Sequence, residues 1–445
     1  MATTATTWGS RIGFILAGAG SAIGLGSIWK FPFWAGINGG SGFIIPYIIF
    51  TFTIGITLLI AELVVGRAGR GSALHALKHL GGPVFSVMGG IAVLTSFVIL
   101  SYYSVVGGWC VKYLFDSLCG ELVTNDPKVL QATFGALVGD GLTNSLWHFS
   151  FLTLTCGVVA LGVVNGIERL SKYLLPTLFI LMIVIMIRSL SLPGAMEGVK
   201  FLFMPRWEDF SGSALFNAMG FCFFSLSLGA GTMITYGTYL SDKANLPGSV
   251  GWVAVLAILS SLLGGLMVMP AVFAFGLDPA AGPGLTFVTM PAIFAKMPMG
   301  QLFAVFFYVC LVVAALTSSV SMLEACTALL SKEFNLPRRT AIFTTVAGAA
   351  VVGLIANLSF GAWSDVKFFG KNIFDLLDFV TSNVGMPLST FGIAIAAAWV
   401  AWPVMRNQLN YEGGVSDSWL KAVRILIGVI SPLFVLIVAL GGLFG

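Results

Sequence analysis

Long apolar runs separated by short polar segments follow one another along the whole chain. With about 20 apolar residues per crossing of a bilayer, the pattern predicts eleven spans, at roughly 11–36, 41–66, 84–117, 147–164, 170–190, 213–240, 247–276, 299–331, 339–358, 373–401 and 419–443. Two of them are interrupted. The first carries Gly18, Gly20, Gly24 and Gly26, then Lys30 and Pro32. Each Gly weakens a helix by about 1 kcal/mol against Ala, and freed backbone groups need partners in hydrocarbon. The sixth reads Phe224-Ser225-Leu226-Ser227-Leu228-Gly229-Ala230-Gly231-Thr232, with hydroxyls and glycines in mid-run. Broken membrane helices persist where their backbone lines a cavity and turns to a ligand. Two breaks five spans apart therefore predict paired structural repeats with a site between them, near the bilayer midplane. Thr317-Ser318-Ser319 in the eighth span adds a third polar cluster. Such hydroxyls usually bond their own helix or a neighbour, so their significance comes from the two breaks.

Composition agrees. Hydrophobic residues make up 58% of the 445 and charged residues 9%, more apolar surface than a soluble domain can hide, so the chain reads as an all-α polytopic membrane protein. The net charge of +4 comes mostly from short segments between spans, which points to topology and not to nucleic acid. Lys and Arg are denser in the segments on the amino-terminal side, Arg67, Arg70, Lys78, Arg169, Lys172, Arg338 and Arg339 among them. That bias predicts a cytoplasmic amino terminus and, with eleven spans, an extracytoplasmic carboxyl terminus. No basic run precedes the first apolar stretch, so no removed signal peptide is expected.

Little suggests catalysis. The six cysteines are scattered singly without a CxxC and read as small buried hydrophobes. His75 and His79 flank Lys78 without nearby Cys or carboxylates, a solvated face and not a metal site. No nucleophile with a base converges, so an enzyme is not expected. Residues 118–146 read as a surface loop, and 277–298 as either a lid dipping toward the membrane or a plain loop. The ionisable residues in or beside spans, Glu62, Glu324, Asp375 and Asp378, are expected to face a polar interior. Glu62 is expected to bond the unwound backbone of a broken helix.

Several stretches together carry a family resemblance: Trp8 to Ala17, Gly20 to Pro32, Asn38-Gly39-Gly40 with Pro46-Tyr47, Glu62 with Gly66-Arg67, Tyr102-Tyr103, Phe224 to Gly231 with Thr235-Tyr236, and Leu316 to Ser319. From Trp8 to about Trp402 the chain resembles a bacterial member of the neurotransmitter:sodium symporter family, with leucine-transporter-like amino acid transporters as its model. The resemblance implies one transmembrane domain over 1–445, built from an inverted 5+5 repeat with broken helices 1 and 6. Repeat 1 covers about 11–190, repeat 2 about 213–401, and an extra helix about 419–443.

It also implies roles. Amides around Gly24, Leu25 and Gly26, with the Tyr103 hydroxyl, would hold a substrate carboxylate, helped by the positive end of the outer half-helix. Carbonyls of Ala22 and Phe224, with Ser225 and Ser227, would take the amino group. Ile99, Phe224, Ala230, Ser318 and Met322 would surround the side chain, and the small Ala230 leaves room for a large hydrophobic or aromatic one. One sodium site maps onto the carbonyls of Gly20, Ile23 and Ala314 and the hydroxyls of Thr317 and Ser318. A second, from the Ala22 carbonyl, Ser27, Ser225 and the substrate carboxylate, is short of protein donors: Ser27 stands in place of the family's asparagine and Ala257 where asparagine or aspartate is expected, with Ser261 one turn on. It is expected to be weak or absent.

The gates follow the same mapping. Lys30 would pair with Asp378 where relatives use arginine, losing the bidentate fork, above a lid of Tyr103 and Phe224. At the other end the usual ion pair falls on Ala5 and Lys332 and is missing, leaving Trp8 as a plug. Gly166 and Pro176 bound nine residues of span 5, a spacing that in relatives lets the helix end unwind and release sodium. The expected activity is sodium-coupled amino acid symport by alternating access across the plasma membrane. A channel and a sodium-independent exchanger are its competitors. Sodium ions, an amino acid and the lipid bilayer are the expected partners.

Overall fold

The computed structural model describes residues 7–122, 124, 126–279, 284–410 and 415–444. In chain order its helices are α1 (Arg11–Ala22), α2 (Gly26–Ile37), α3 (Ser41–Gly69), α4 (Ala73–Gly81), α5 (Pro83–Cys119), α6 (Pro127–Gly139), α7 (Gly141–Ala160), α8 (Val163–Leu190), α9 (Ala195–Phe203), α10 (Gly212–Ser225), α11 (Thr232–Thr238), α12 (Leu246–Ala274), α13 (Leu285–Lys296), α14 (Gly300–Glu333), α15 (Arg338–Leu358), α16 (Ile373–Val400), α17 (Trp402–Leu409) and α18 (Asp417–Gly442). The described residues hold no strand, only an isolated bridge between Phe368 and Lys371.

Eight helices are long and apolar enough to cross a bilayer, and α1 with α2, bent by 52°, makes a ninth as a broken span. The remaining two predicted spans fall on α7 and on the pair α10 and α11. The α1 break follows from its sequence. Ser10 caps the helix start by accepting from the Gly13 amide, and helical geometry ends at Ala22. A wide turn at Gly26–Lys30 then leads to Pro32 in the first turn of the next segment. The second break runs through Ser227, Gly229 and Gly231, all at positive φ. Glycine takes such angles freely and serine does not. Ser227 is held there by donating its hydroxyl to the Ser21 carbonyl at 2.9 Å, which ties one break to the other.

Three expectations need correction. Residues 118–146 are not simply loop, because Asp126 caps α6, with Pro127 at its first position, and Asp140 caps α7. The fourth span thus begins at Gly141 and ends at Ala160. The fifth starts at Val163, since Gly162 at φ +88° turns the chain directly into a wide helical turn over Val163–Glu168. Gly166 lies in that turn, packed so closely on the Val158 carbonyl that a Cβ would collide. Pro176 sits inside the continuing helix. The segment 277–298, open between lid and loop, contains α13. Its Phe287 is fully buried, stacked on Phe134 at 5.2 Å and edge-on to Trp29 and Tyr113.

Candidate functional site

The two breaks face each other across a cavity of about 310 Å³, closed laterally by α5, α14 and α16. Every residue predicted to contact substrate lines it except Ser225. Ser225 points elsewhere, donating its hydroxyl to the Cys222 carbonyl. The Leu25 amide donates to the Tyr103 hydroxyl at 3.1 Å. Gly24 and Gly26 let the backbone approach: a Cβ on Gly24 would meet the Ser318 and Tyr103 hydroxyls, and one on Gly26 the Phe224 ring. Ile99, Ala230 and Met322 supply apolar wall. Trp29, Val106, Thr232, Ser321, Phe374 and Met386 also line the cavity. Sequence reasoning missed them because they are ordinary span residues that only the packing brings together.

The irregular backbone of the second break is satisfied by the surrounding helices, as buried polar groups must be. Glu62 accepts from the Gly229 amide at 2.7 Å, as expected of it. Ser389 donates to the Gly229 carbonyl at 2.5 Å, and Ser96 donates to that of Ala230. The break is thus bonded to α3, α5 and α16.

The residues predicted for the first cation site converge. Ser318 donates to the carbonyls of Gly20, at 3.3 Å, and Ser21, at 3.1 Å. Thr317 donates to Ala314 at 3.1 Å and packs against Gly20, where a Cβ would be tight on its side chain. Ile23 closes the end of α1 beside them. Uncharged carbonyl and hydroxyl oxygens are the donors a hard cation takes, so this set fits sodium. The second set differs. Ser27 accepts from Ser260 at 3.1 Å and from Ser261 at 3.4 Å, and Tyr47 meets Ser261 at 3.3 Å. The Ala22 carbonyl accepts from the Gly24 amide. Its groups are paired with separate neighbours, Ala22 with Gly24, Ser225 with Cys222 and Ser27 with Ser260 and Ser261, of which Ser260 went unnoticed in the sequence.

The residues predicted as gates lie at opposite ends. Lys30 lies 3.6 Å from Asp378 and places its ammonium 4.2 Å over the Phe224 ring, while Tyr102 donates to Asp378 at 3.0 Å. Trp8 donates its indole N–H to the Tyr236 carbonyl and its amide to that of Tyr239, both at 3.0 Å. Its ring packs edge-on to Tyr236 and Tyr239. Ala5 lies outside the described residues; Lys332 is near the end of α14. More than two turns earlier in α14, Glu324 is fully buried and takes both terminal nitrogens of Arg338, at 2.9 and 2.6 Å, and the Tyr239 hydroxyl at 2.6 Å.

Comparison with known proteins gives this arrangement its setting. The model of the sodium:neurotransmitter symporter family matches residues 5–132 and 140–444. An uncharacterized sodium-dependent transporter of Bacillus subtilis is 39% identical, over 97% of this chain and 96% of its own length. Another from Haemophilus influenzae is 33% identical over 98% of both. Among solved structures, MhsT in complex with L-phenylalanine superposes with a TM-score of 0.91 at 37% identity, covering 98% of this chain and 99% of that one. Two broken helices around a central cavity, on an all-helical membrane fold matched end to end by sodium-dependent transporters, place this chain in the sodium:neurotransmitter symporter family, a family of transporters and not of enzymes.

Proposed function

We propose that the protein carries a neutral amino acid with a large hydrophobic or aromatic side chain, together with sodium, by alternating access. Its eleven spans then form two inverted five-span repeats and an added helix, in the plasma membrane, with the Trp8 end cytoplasmic and the carboxyl terminus outside. The observation carrying this reading is the Leu25 amide bonded to the Tyr103 hydroxyl beside Gly24 and Gly26, at the wall of a mostly apolar cavity. An incoming carboxylate exchanges that internal bond for bonds to both groups. The amino group goes to the carbonyls of Ala22 and Phe224 and the Ser227 hydroxyl. The side chain enters the space left by Ala230 between Ile99 and Met322. MhsT, solved with L-phenylalanine, supports a substrate of that size.

Sodium sits between α1 and α14, on Gly20, Ile23, Ala314, Thr317 and Ser318, and steadies the same break that receives the carboxylate. Each ligand therefore raises the affinity of the other. Phe224 and Lys30 close over the substrate; the Trp8 segment and the Gly166 turn then open. One sodium is expected per cycle, because the Ser27 cluster has no asparagine or carboxylate to hold a second. The test is uptake of radiolabelled leucine, tryptophan, tyrosine and phenylalanine into proteoliposomes. Accumulation driven by a sodium gradient with a Hill slope near one is expected. Failure of all four removes the substrate assignment, a slope near two removes the single site, and equal uptake without sodium favours an exchanger.

A further inference from the structure

Glu168 is a buried charge that the transport scheme leaves without a task. Glu168 ends the wide turn Val163–Glu168 at the start of α8, and its side chain is 2% exposed. Its carboxylate accepts three bonds: from the Gly9 amide at 2.7 Å, from the Ser10 hydroxyl at 2.9 Å and from the Lys172 ammonium at 2.7 Å. Two of those donors immediately follow Trp8 in the chain. Ser10 is also the cap of α1, its oxygen accepting from the Gly13 amide at 3.0 Å. Gly13 completes the seat, since a Cβ there would collide with the carboxylate. The start of α1 and the turn that holds Gly166 are thus fastened to one another through a single side chain.

We infer that Glu168 is a positioning residue that latches the Trp8 segment to the first turn of α8, so that the plug and the turn release together. A buried carboxylate stripped of its donors is strongly disfavoured, as is a buried amide left without an acceptor. If the turn unwound while the Trp8 segment stayed in place, Glu168 would leave Gly9 and Ser10 at once. If the segment left first, the carboxylate would keep only Lys172. Both half-open arrangements lose bonds that the closed and the fully released arrangements satisfy, within the protein or with water. The latch thereby makes one event of two. It occupies the role left open by the missing pair at Ala5 and Lys332, and it places that role on the helix whose opening lets sodium out.

The inference rests on the proposed cycle, in which the Trp8 segment and the Gly166 turn are the parts that move. Sodium-driven uptake by the unaltered chain tests that cycle separately. The latch is tested by hydrogen exchange of the full chain in lipid nanodiscs with saturating sodium, read over residues 8–15 and 162–170. Glu168→Ala is expected to speed exchange about tenfold or more in both segments, and Ser10→Ala to speed both by less. Substrate affinity at saturating sodium stays unchanged while the sodium concentration for half-maximal uptake rises. Acceleration of one segment alone, or of neither, overturns the inference. Should Glu168→Ala not yield folded protein, Glu168→Gln, which keeps an acceptor and loses the charge, carries the same comparison with Ser10→Ala.

Discussion

At the Lys30 end of the cavity the closing contacts are few and reach solvent. Lys30 and Asp378 are 30% and 37% exposed and 3.6 Å apart, and the ammonium rests on Phe224. At the Trp8 end the contacts are layered and centre on buried carboxylates, although their cationic partners Arg338 and Lys172 reach solvent. Glu324 is fully buried against Arg338 and Tyr239, Trp8 bonds two backbone carbonyls, and Glu168 fixes the next two residues. Exposed ion pairs contribute at most about 1 kcal/mol, whereas breaking a buried one costs about 3–5 kcal/mol. One end can therefore open and close near thermal energies. The other must be driven, and ligand binding is the available drive.

The sharpest way to break this contrast is at Arg338. Arg338→Met takes its charged partner from the buried Glu324, and a loss of about 3 kcal/mol in stability is expected, the lower end for a buried pair because Arg338 itself is 36% exposed, read as a lowered melting temperature of the purified protein. Adding Glu324→Gln should recover most of it. A single variant as stable as the parent would mean that the Trp8 end is wetter than its geometry.

Tyr103→Phe acts between the two ends. It removes the acceptor of the Leu25 amide, and substrate binding is expected to weaken by about 1–3 kcal/mol, or about fivefold to 150-fold. Equilibrium binding of labelled substrate at fixed sodium measures this. Unchanged affinity would remove the hydroxyl from the carboxylate site.

Lys30→Gln should do least, changing substrate dissociation by no more than about fivefold. Lys30→Arg, with a fork that fits Asp378, should slow dissociation. Abolished binding in Lys30→Gln would show that this end is not the lightly held one.

What the sequence disclosed depends on how local each signal was. The break at Gly24 to Gly26 was plain because glycines and Pro32 contradict a helix within a few residues, and Glu62 was flagged by its cost in an apolar run. The α6 helix was hidden, since Asp126-Pro127 reads equally well as turn or helix start. Glu168 falls between two predicted spans, and nothing nearby in sequence reveals that Gly9 and Ser10 come to it from 159 and 158 residues away. Glu324 and Arg338 are 14 residues apart, and a helix end intervenes. Ser260 resembled any hydroxyl bonded to its own helix, as it partly is. Contacts between distant spans leave no periodic trace.

The proposed cation site between α1 and α14 has electrical consequences. All five of its donors are neutral, carbonyls of Gly20, Ile23 and Ala314 and hydroxyls of Thr317 and Ser318. No side-chain charge among them offsets a bound monovalent ion, and a zwitterionic amino acid adds none. Under the proposed stoichiometry each inward cycle moves one positive charge through the bilayer. A potential of about 100 mV, negative inside, then supplies about 2.3 kcal/mol per cycle, equivalent to about fiftyfold accumulation before any sodium gradient is counted. Transport by such a site is electrogenic, and its current measures the coupling directly.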